Sequence, residues 1–333
     1  MNPRPLLFSW LLLACTCSST VSLSEEQLPP LAALASEVDG NRLMAHVRDL
    51  AETRRTDTPL ACTPEHQERA PQRCHLTQSG SRDLVRSHFE ALGLPVRLQP
   101  SEHLGLESIN VVADLPGTTR PEEIVLVGAH FDAFYQGADD NASGVAALLE
   151  LARVFSLHRF ERTVRFVGFD MEELGLAGST HYVNSPVGGE RLVAAIVFDS
   201  IGYYDSTPGS QRTIPGVPAP SAADFVAVIG NDTSSPLAAE LQALNLRLSL
   251  MKSVTVIAPA DGASPLTGHL LRSDHAPFWL AGGKALFLTD TADFRNPHYH
   301  RDSDVPETLS PEPFRQTVRL SAVGLAFWAG GPR

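Results

Sequence analysis

IVLVGAHFD, residues Ile124–Asp132, decides how this chain is read. Its opening run, Ile124 to Ala129, is apolar without alternation, the pattern of a strand buried on both faces. His130 and Asp132 then stand where that strand ends. Two more apolar runs end in the same manner: Val164 to Phe169 meets Asp170-Met171-Glu172-Glu173, and Val193 to Phe198 meets Asp199. In an open α/β sheet, sites form outside the carboxyl ends of strands, so these three clusters are expected to share one crevice.

On either side, Ser108 to Leu115, Phe225 to Ile229, Val254 to Ala258 and Ala285 to Leu288 read as further buried strands. Helical patterns fall at Asn41 to Thr53, Val145 to Phe155, Pro236 to Leu246, Pro311 to Trp328 and Ser81 to Leu92, the last closed by Gly93 and Pro95. The alternation has no long linker, repeat or low-complexity block. It predicts one α/β domain over 24–333, three-layered αβα with a mostly parallel, mixed central sheet. Ser206 to Pro220, rich in Pro and Gly, is the one long loop and reads as a surface excursion.

Composition limits the function. The 333 residues carry 26 Lys+Arg against 38 Asp+Glu, a net charge of −12, with 43% hydrophobic residues, which excludes a mostly disordered chain. The acidic balance, with no basic cluster, argues against a nucleic-acid partner. Leu6 to Ala14, following Arg4, has the length of a signal-peptide core and is too short to span a bilayer, so 1–22 is expected to be an export leader and the protein secreted or periplasmic. Leu12-Leu13-Ala14-Cys15 is similar to a lipoprotein cleavage box, which would make a lipid on Cys15 the only membrane attachment. Cys62 and Cys74 are then the only cysteines of the mature body. In an exported chain they are expected to pair, closing a loop with Pro64 and Pro71 in which little regular structure is expected.

Two more clusters matter: GADDNASG at Gly137 to Gly144, just before a helix, and His298-Tyr299-His300 after the Ala285 to Leu288 strand. Singly, each has an ordinary reading: a core histidine at His130, helix caps at Asp140 and Asn141, a solvated turn at Glu172-Glu173. Together they crowd carboxylates that repel one another unless a cation intervenes. Two histidines and three carboxylates suit zinc, with manganese or cobalt also compatible. Two ions bridged by one carboxylate would use all five ligands and leave room for a water.

His130-Phe131-Asp132, GADDNASGVAALLELAR (Gly137 to Arg153), DMEELGLAGS (Asp170 to Ser179), Asp199, SDHAPFW (Ser273 to Trp279) and NPHYHRDSD (Asn296 to Asp304) together resemble the co-catalytic dizinc aminopeptidases of the bacterial leucyl aminopeptidase type. The resemblance implies a zinc-exopeptidase-like fold. It also implies two Zn2+, one held by His130 and Asp199, the other by Glu173 and His300, with Asp140 bridging. Asp132 would orient the His130 imidazole, and Glu172 would be the general base, its side chain diverging from that of Glu173 on an extended backbone. A cis peptide is expected between Asp140 and Asn141. His298 competes with His300, which is preferred because Asp304 lies four residues on.

Two departures stand out: Ala133 replaces a frequent serine, and Arg272-Ser273 replaces a tyrosine that some members use on the transition state. Arg272, Tyr299 or the zincs alone would then meet the oxyanion, and Asp274-His275 are expected to shape the pocket wall. The implied activity is removal of N-terminal residues from peptides by a metal-bridging hydroxide. The alternatives are C-terminal cleavage, with Arg272, Arg295 and Arg301 available for a terminal carboxylate, deacylation, glutaminyl cyclisation, or a noncatalytic binding ectodomain.

Overall fold

The computed structural model describes residues 23–213, 219–264 and 267–333. The expected leader, Cys15 included, lies outside the described residues, as does part of the Ser206 to Pro220 loop. The chain runs through strands β1 (Val96–His103), β2 (Leu106–Leu115), β3 (Arg120–His130), β4 (Arg162–Phe169), β5 (Arg191–Phe198), β6 (Val226–Asn231), β7 (Ser253–Ala258) and β8 (Leu286–Thr289). They form one sheet in the order β1-β2-β4-β3-β5-β8-β6-β7. The central neighbours β4, β3, β5 and β8 are parallel, as are β6 and β7, while β1, β2 and the β8/β6 pair are antiparallel.

The central strands lack alternation because both faces are covered. Val125, Val127 and Ala129 pack into one core with α5 (Gly144–Ser156) and α9 (Pro311–Ala329). Ile124 and Leu126, one residue out of phase, pack into a second with Phe278 and Trp279 of α8 (His275–Leu280). On the first face, α1 (Leu28–Ser36), α2 (Gly40–Thr56), α4 (Ser79–Ala91) and α7 (Ser235–Leu248) join that core through Leu31, Val47, Leu50, Val85, Phe89 and Leu241. α6 (Ala177–Asn184) covers the second face, packing Tyr182 against Phe169 and Phe278.

Two elements depart from expectation. β1 carries exposed residues and a proline because it is a sheet edge, where a missing N–H is harmless. The Cys62 to Cys74 loop, expected to be irregular, contains the short helix α3 (Pro64–Arg69), whose first turn is capped by the Thr63 hydroxyl accepting from His66 N (3.2 Å). Cys62 and Cys74 form a disulfide with Cα atoms 4.8 Å apart. The loop is further tied to the site by Leu76–Thr77, which pairs antiparallel with Ala133–Phe134.

Candidate metal centre

β3 ends in His130, and its imidazole is oriented locally: Nδ1 lies 3.0 Å from the Asp132 main-chain oxygen. Donation there leaves Nε2 as the ligating atom. The Asp132 carboxylate lies 3.5 Å from Nδ1, but its close bonds go elsewhere. It accepts the main-chain N–H of Glu172 and of Glu173, each at 3.1 Å. This corrects the extended backbone expected at that pair. After β4 the chain turns at Met171 (φ 55°), and Glu172 O accepts from both Gly175 N and Leu176 N at 2.9 Å, so the two glutamates diverge from a tight turn.

Asp140 sits in the irregular Ala138–Ser143 segment, and the expected cis peptide joins it to Asn141. The entry to that segment requires Gly137, whose φ is +50° and where a Cβ would lie 2.3 Å from the Asp140 carbonyl oxygen. Asp304 clamps the segment by accepting Asp139 N (3.0 Å) and Asp140 N (3.1 Å), one on each oxygen. Asn141 ties it to the end of β5, donating to Phe198 O and accepting from Gly144 N.

Beneath lies Arg54 of α2, 2% exposed, donating to the carbonyls of Phe131 (3.0 Å), Gln136 (3.1 Å) and Gly137 (2.7 Å) and to Ser81 Oγ (3.1 Å). Burial lowers its pKa to about 10 against the raising effect of Asp140, Asp304, Asp132 and Glu173. It remains a cation at neutral pH.

These supports bring six side chains into two donor groups, His130 with Glu172 and Asp199, and Asp140 with Glu173 and His300. Asp140 faces both sides: Oδ1 is 3.3 Å from His130 Nε2, and Oδ2 is 3.0 Å from His300 Nε2. His130 Nε2 also approaches Asp199 Oδ1 (3.9 Å), and His300 Nε2 approaches Glu173 Oε1 (3.2 Å). His130 Nε2, His300 Nε2 and Glu173 Oε1 are buried and make no hydrogen bond. Buried orphans of this kind, all of metal-ligating type and aimed at one another, fit divalent cations in both groups.

The electrostatics of the side chains agree. Burial pushes Asp140 up, yet the imidazoles of His130 and His300 outweigh it and hold its carboxylate well below the usual range. Burial, reinforced by Asp140, raises Glu173 to about 7. Burial opposes the charging of His300, but Glu173 and Asp140 raise it to about 10. Glu172 is pushed well above the carboxylate range by burial, opposed by His130 and reinforced by Glu173, Asp199 and Asp274.

The remaining expected residues fall at different depths. His298 belongs to neither donor group and bonds Ser303 Oγ (3.0 Å). Tyr299 stacks on His300 at 3.9 Å, and its hydroxyl is 3.4 Å from Arg272, whose other nitrogen pairs with Asp293 at 3.0 Å. His275 is a core residue, bonded to Leu270 O (2.6 Å) and stacked on Phe287. Asp274 is fully buried with neither oxygen hydrogen-bonded, and burial raises it to about 7. Arg54 escaped the sequence reading, because nothing local marks an arginine on an amphipathic helix as buried.

Residues 110–323 match peptidase family M28, and the uncharacterized protein YfbL of Escherichia coli K12 is 32% identical over 266 residues, 72% of this chain and 76% of that protein. The chain belongs to peptidase family M28. An aminopeptidase of Pseudomonas aeruginosa PAO1 is 39% identical over 129 residues, 35% of this chain, which spans 23% of that protein's length. The solved aminopeptidase of Aneurinibacillus sp. strain AM-1 superposes with a TM-score of 0.64 at 16% identity, covering 91% of this chain and 97% of that one, which is a likeness of fold. With two donor groups on the M28 fold, the protein is a two-metal, zinc-type metallopeptidase.

Proposed function

We propose that the protein is an exported aminopeptidase whose 24–333 segment forms one catalytic domain. The observation that carries this reading is Asp140, each of whose oxygens faces one imidazole. Asp140 would bridge, His130 and Asp199 would complete one site, and Glu173 and His300 the other. That leaves Glu172 free of ligation although its carboxylate lies in the first donor group. Bound there, two divalent cations supply Lewis-acid polarisation of the scissile carbonyl and acidify a water.

The chain's own residues do the rest. Glu172, a buried carboxylate beside His130 and Asp199, takes the proton of the attacking water and returns it to the leaving amine. Asp132 holds the Glu172-Glu173 turn through two main-chain bonds. The surplus of carboxylates suits the α-ammonium of a peptide's first residue. Beside Asp199 an open cleft, with Ile229, Leu270, Phe287 and Phe294 in its walls, suits an apolar first side chain. Arg272 and Tyr299 border it, within reach of a developing oxyanion.

Export is supported by the apolar leader and by the Cys62–Cys74 disulfide, with Cys15 the candidate lipid attachment point. Among the described residues, no helix is long and apolar enough to cross a membrane.

The test offers one peptide with free ends, with an acetylated N-terminus and with an amidated C-terminus, each with and without chelator, and follows it by mass spectrometry. Chelator-sensitive loss of N-terminal residues, blocked by acetylation alone, is expected. Cleavage blocked by amidation alone would make the enzyme a carboxypeptidase and overturn the reading.

A further inference from the structure

Tyr299, stacked on His300, is shared by two cavities. On one side lies the apolar cavity next to Asp199. On the other lies an open cavity lined by Arg212, Arg295, Arg301, Asn296 and Asp293, the last also a neighbour of the first cavity. Its exposed charge is mainly basic, while the carboxylates of Asp290, Asp139 and Asp224 act electrostatically on the buried Arg295. Asp293 is committed to Arg272 at 3.0 Å. Arg212 and Arg301 are exposed and pair with no carboxylate among the described residues. Arg295 is 5% exposed and anchored by bonds to Phe225 O (2.9 Å) and Gln211 Oε1 (3.1 Å), with its guanidinium 4.5 Å over the Phe225 ring and its Nη2 without a hydrogen-bond partner. Three guanidinium groups thus gather beside the metal centre of a chain whose net charge is −12.

A basic cavity here has no use for the substrate's ammonium, which the carboxylate-rich crevice serves. A peptide advances roughly 3.3–3.6 Å per residue, so a cavity walled by the ring on His300 is reached within a few residues of the scissile bond. Guanidinium groups are matched to carboxylates by their forked donors. We propose that this cavity is a carboxylate-binding subsite on the leaving-group side, selecting short peptides with a free C-terminal carboxylate or an acidic side chain one or two residues past the cleaved bond. The inference rests on the aminopeptidase reading and adds to it a substrate class.

The test compares kcat/KM for Leu-Gly-Gly, its C-terminal amide, Leu-Glu-Gly amide and leucine p-nitroanilide. The free acid is expected to exceed its amide by about tenfold, chiefly through KM, and the advantage to shrink as salt shortens the screening length. A matching gain for Leu-Glu-Gly amide would identify an acidic side chain as an equal occupant. A gain for the free acid alone would identify the terminal carboxylate. In the R212Q/R301Q variant the acid-to-amide ratio is expected to fall to near one, and R212K/R301K to restore part of it. A ratio near one in the native enzyme, or a ratio unmoved by R212Q/R301Q, overturns the subsite. Failure of the native enzyme to cleave leucine p-nitroanilide at all would instead refute the aminopeptidase reading beneath it.

Discussion

Asp132→Asn tests what the Asp132 carboxylate does. In the native protein its two oxygens each accept one main-chain N–H, from Glu172 and from Glu173, at 3.1 Å in a buried setting. Asparagine keeps one acceptor and turns an NH2 group toward the other N–H. One hydrogen bond to a charged acceptor is lost and a buried donor is left unmet, together about 2–4 kcal/mol. Since the affected turn carries both the proposed base and a proposed ligand, we expect the loss to divide between stability and the transition state. Split evenly, about 1–2 kcal/mol each, the loss gives a fall in melting temperature of a few degrees and a drop in kcat/KM of about 5- to 30-fold, at about 1.4 kcal/mol per decade. His130 should be undisturbed, because its Nδ1 bond goes to the main-chain oxygen of residue 132, which the substitution preserves. The assays are a thermal melt, steady-state hydrolysis of leucine p-nitroanilide, and zinc counted by mass spectrometry in excess metal. Loss of one zinc with an unchanged melt would refute this reasoning and return Asp132 to orienting the imidazole. Native-like activity would refute any positioning role.

Glu172→Gln should lower kcat by about 10²–10⁴-fold while retaining two zincs per chain, and measurable loss of metal would make Glu172 a ligand rather than the base. Arg54→Met should destabilise the fold by about 3–5 kcal/mol in denaturant titration, because three site-loop carbonyls lose their buried donor, and a change below about 1 kcal/mol would contradict that role. Zinc uptake by stripped protein at neutral pH should release protons, since His300, raised to about 10, and Glu173, raised to about 7, hold them without a cation. Metal affinity should therefore rise with pH across the neutral range, and calorimetry in buffers of different ionisation enthalpy would count the protons. Release of none would contradict a His300 held protonated by Glu173 and Asp140 and a Glu173 raised by burial.

The central strands were legible because burial on both faces forces apolar residues at every position, as in Ile124 to Ala129. β1 was not, since an edge strand needs neither continuous apolarity nor every N–H, and Pro100 conceals it. The helix at Pro64–Arg69 had a local signal, Thr63 followed by Pro64 at the first helical position, that was outweighed by the prolines around it. Site side chains were found wherever an acid or histidine ended an apolar run. The groups that hold them were harder. Asp132 lies two residues from His130 in sequence and its carboxylate stands 3.5 Å from the imidazole, but both of its oxygens also accept from a turn forty residues away, which no local spacing signals. Arg54 sits on a helix whose other charged residues face solvent, and only the packing of α2 beneath the Phe131 and Gly137 carbonyls buries it.

From sequence alone came the layered α/β plan, the acids and histidines at strand ends and the need for cations among them, because burial patterning and charge crowding are properties of residue type and order. Tertiary structure alone decided which atoms face one another. The two oxygens of Asp140 meet two imidazoles because the Ala138–Ser143 segment is clamped by Asp304 from the far end of the chain. Arginines at 212, 295 and 301 meet in one cavity although they lie on separate stretches of chain. Such meetings depend on packing across the sheet, and no local spacing encodes them.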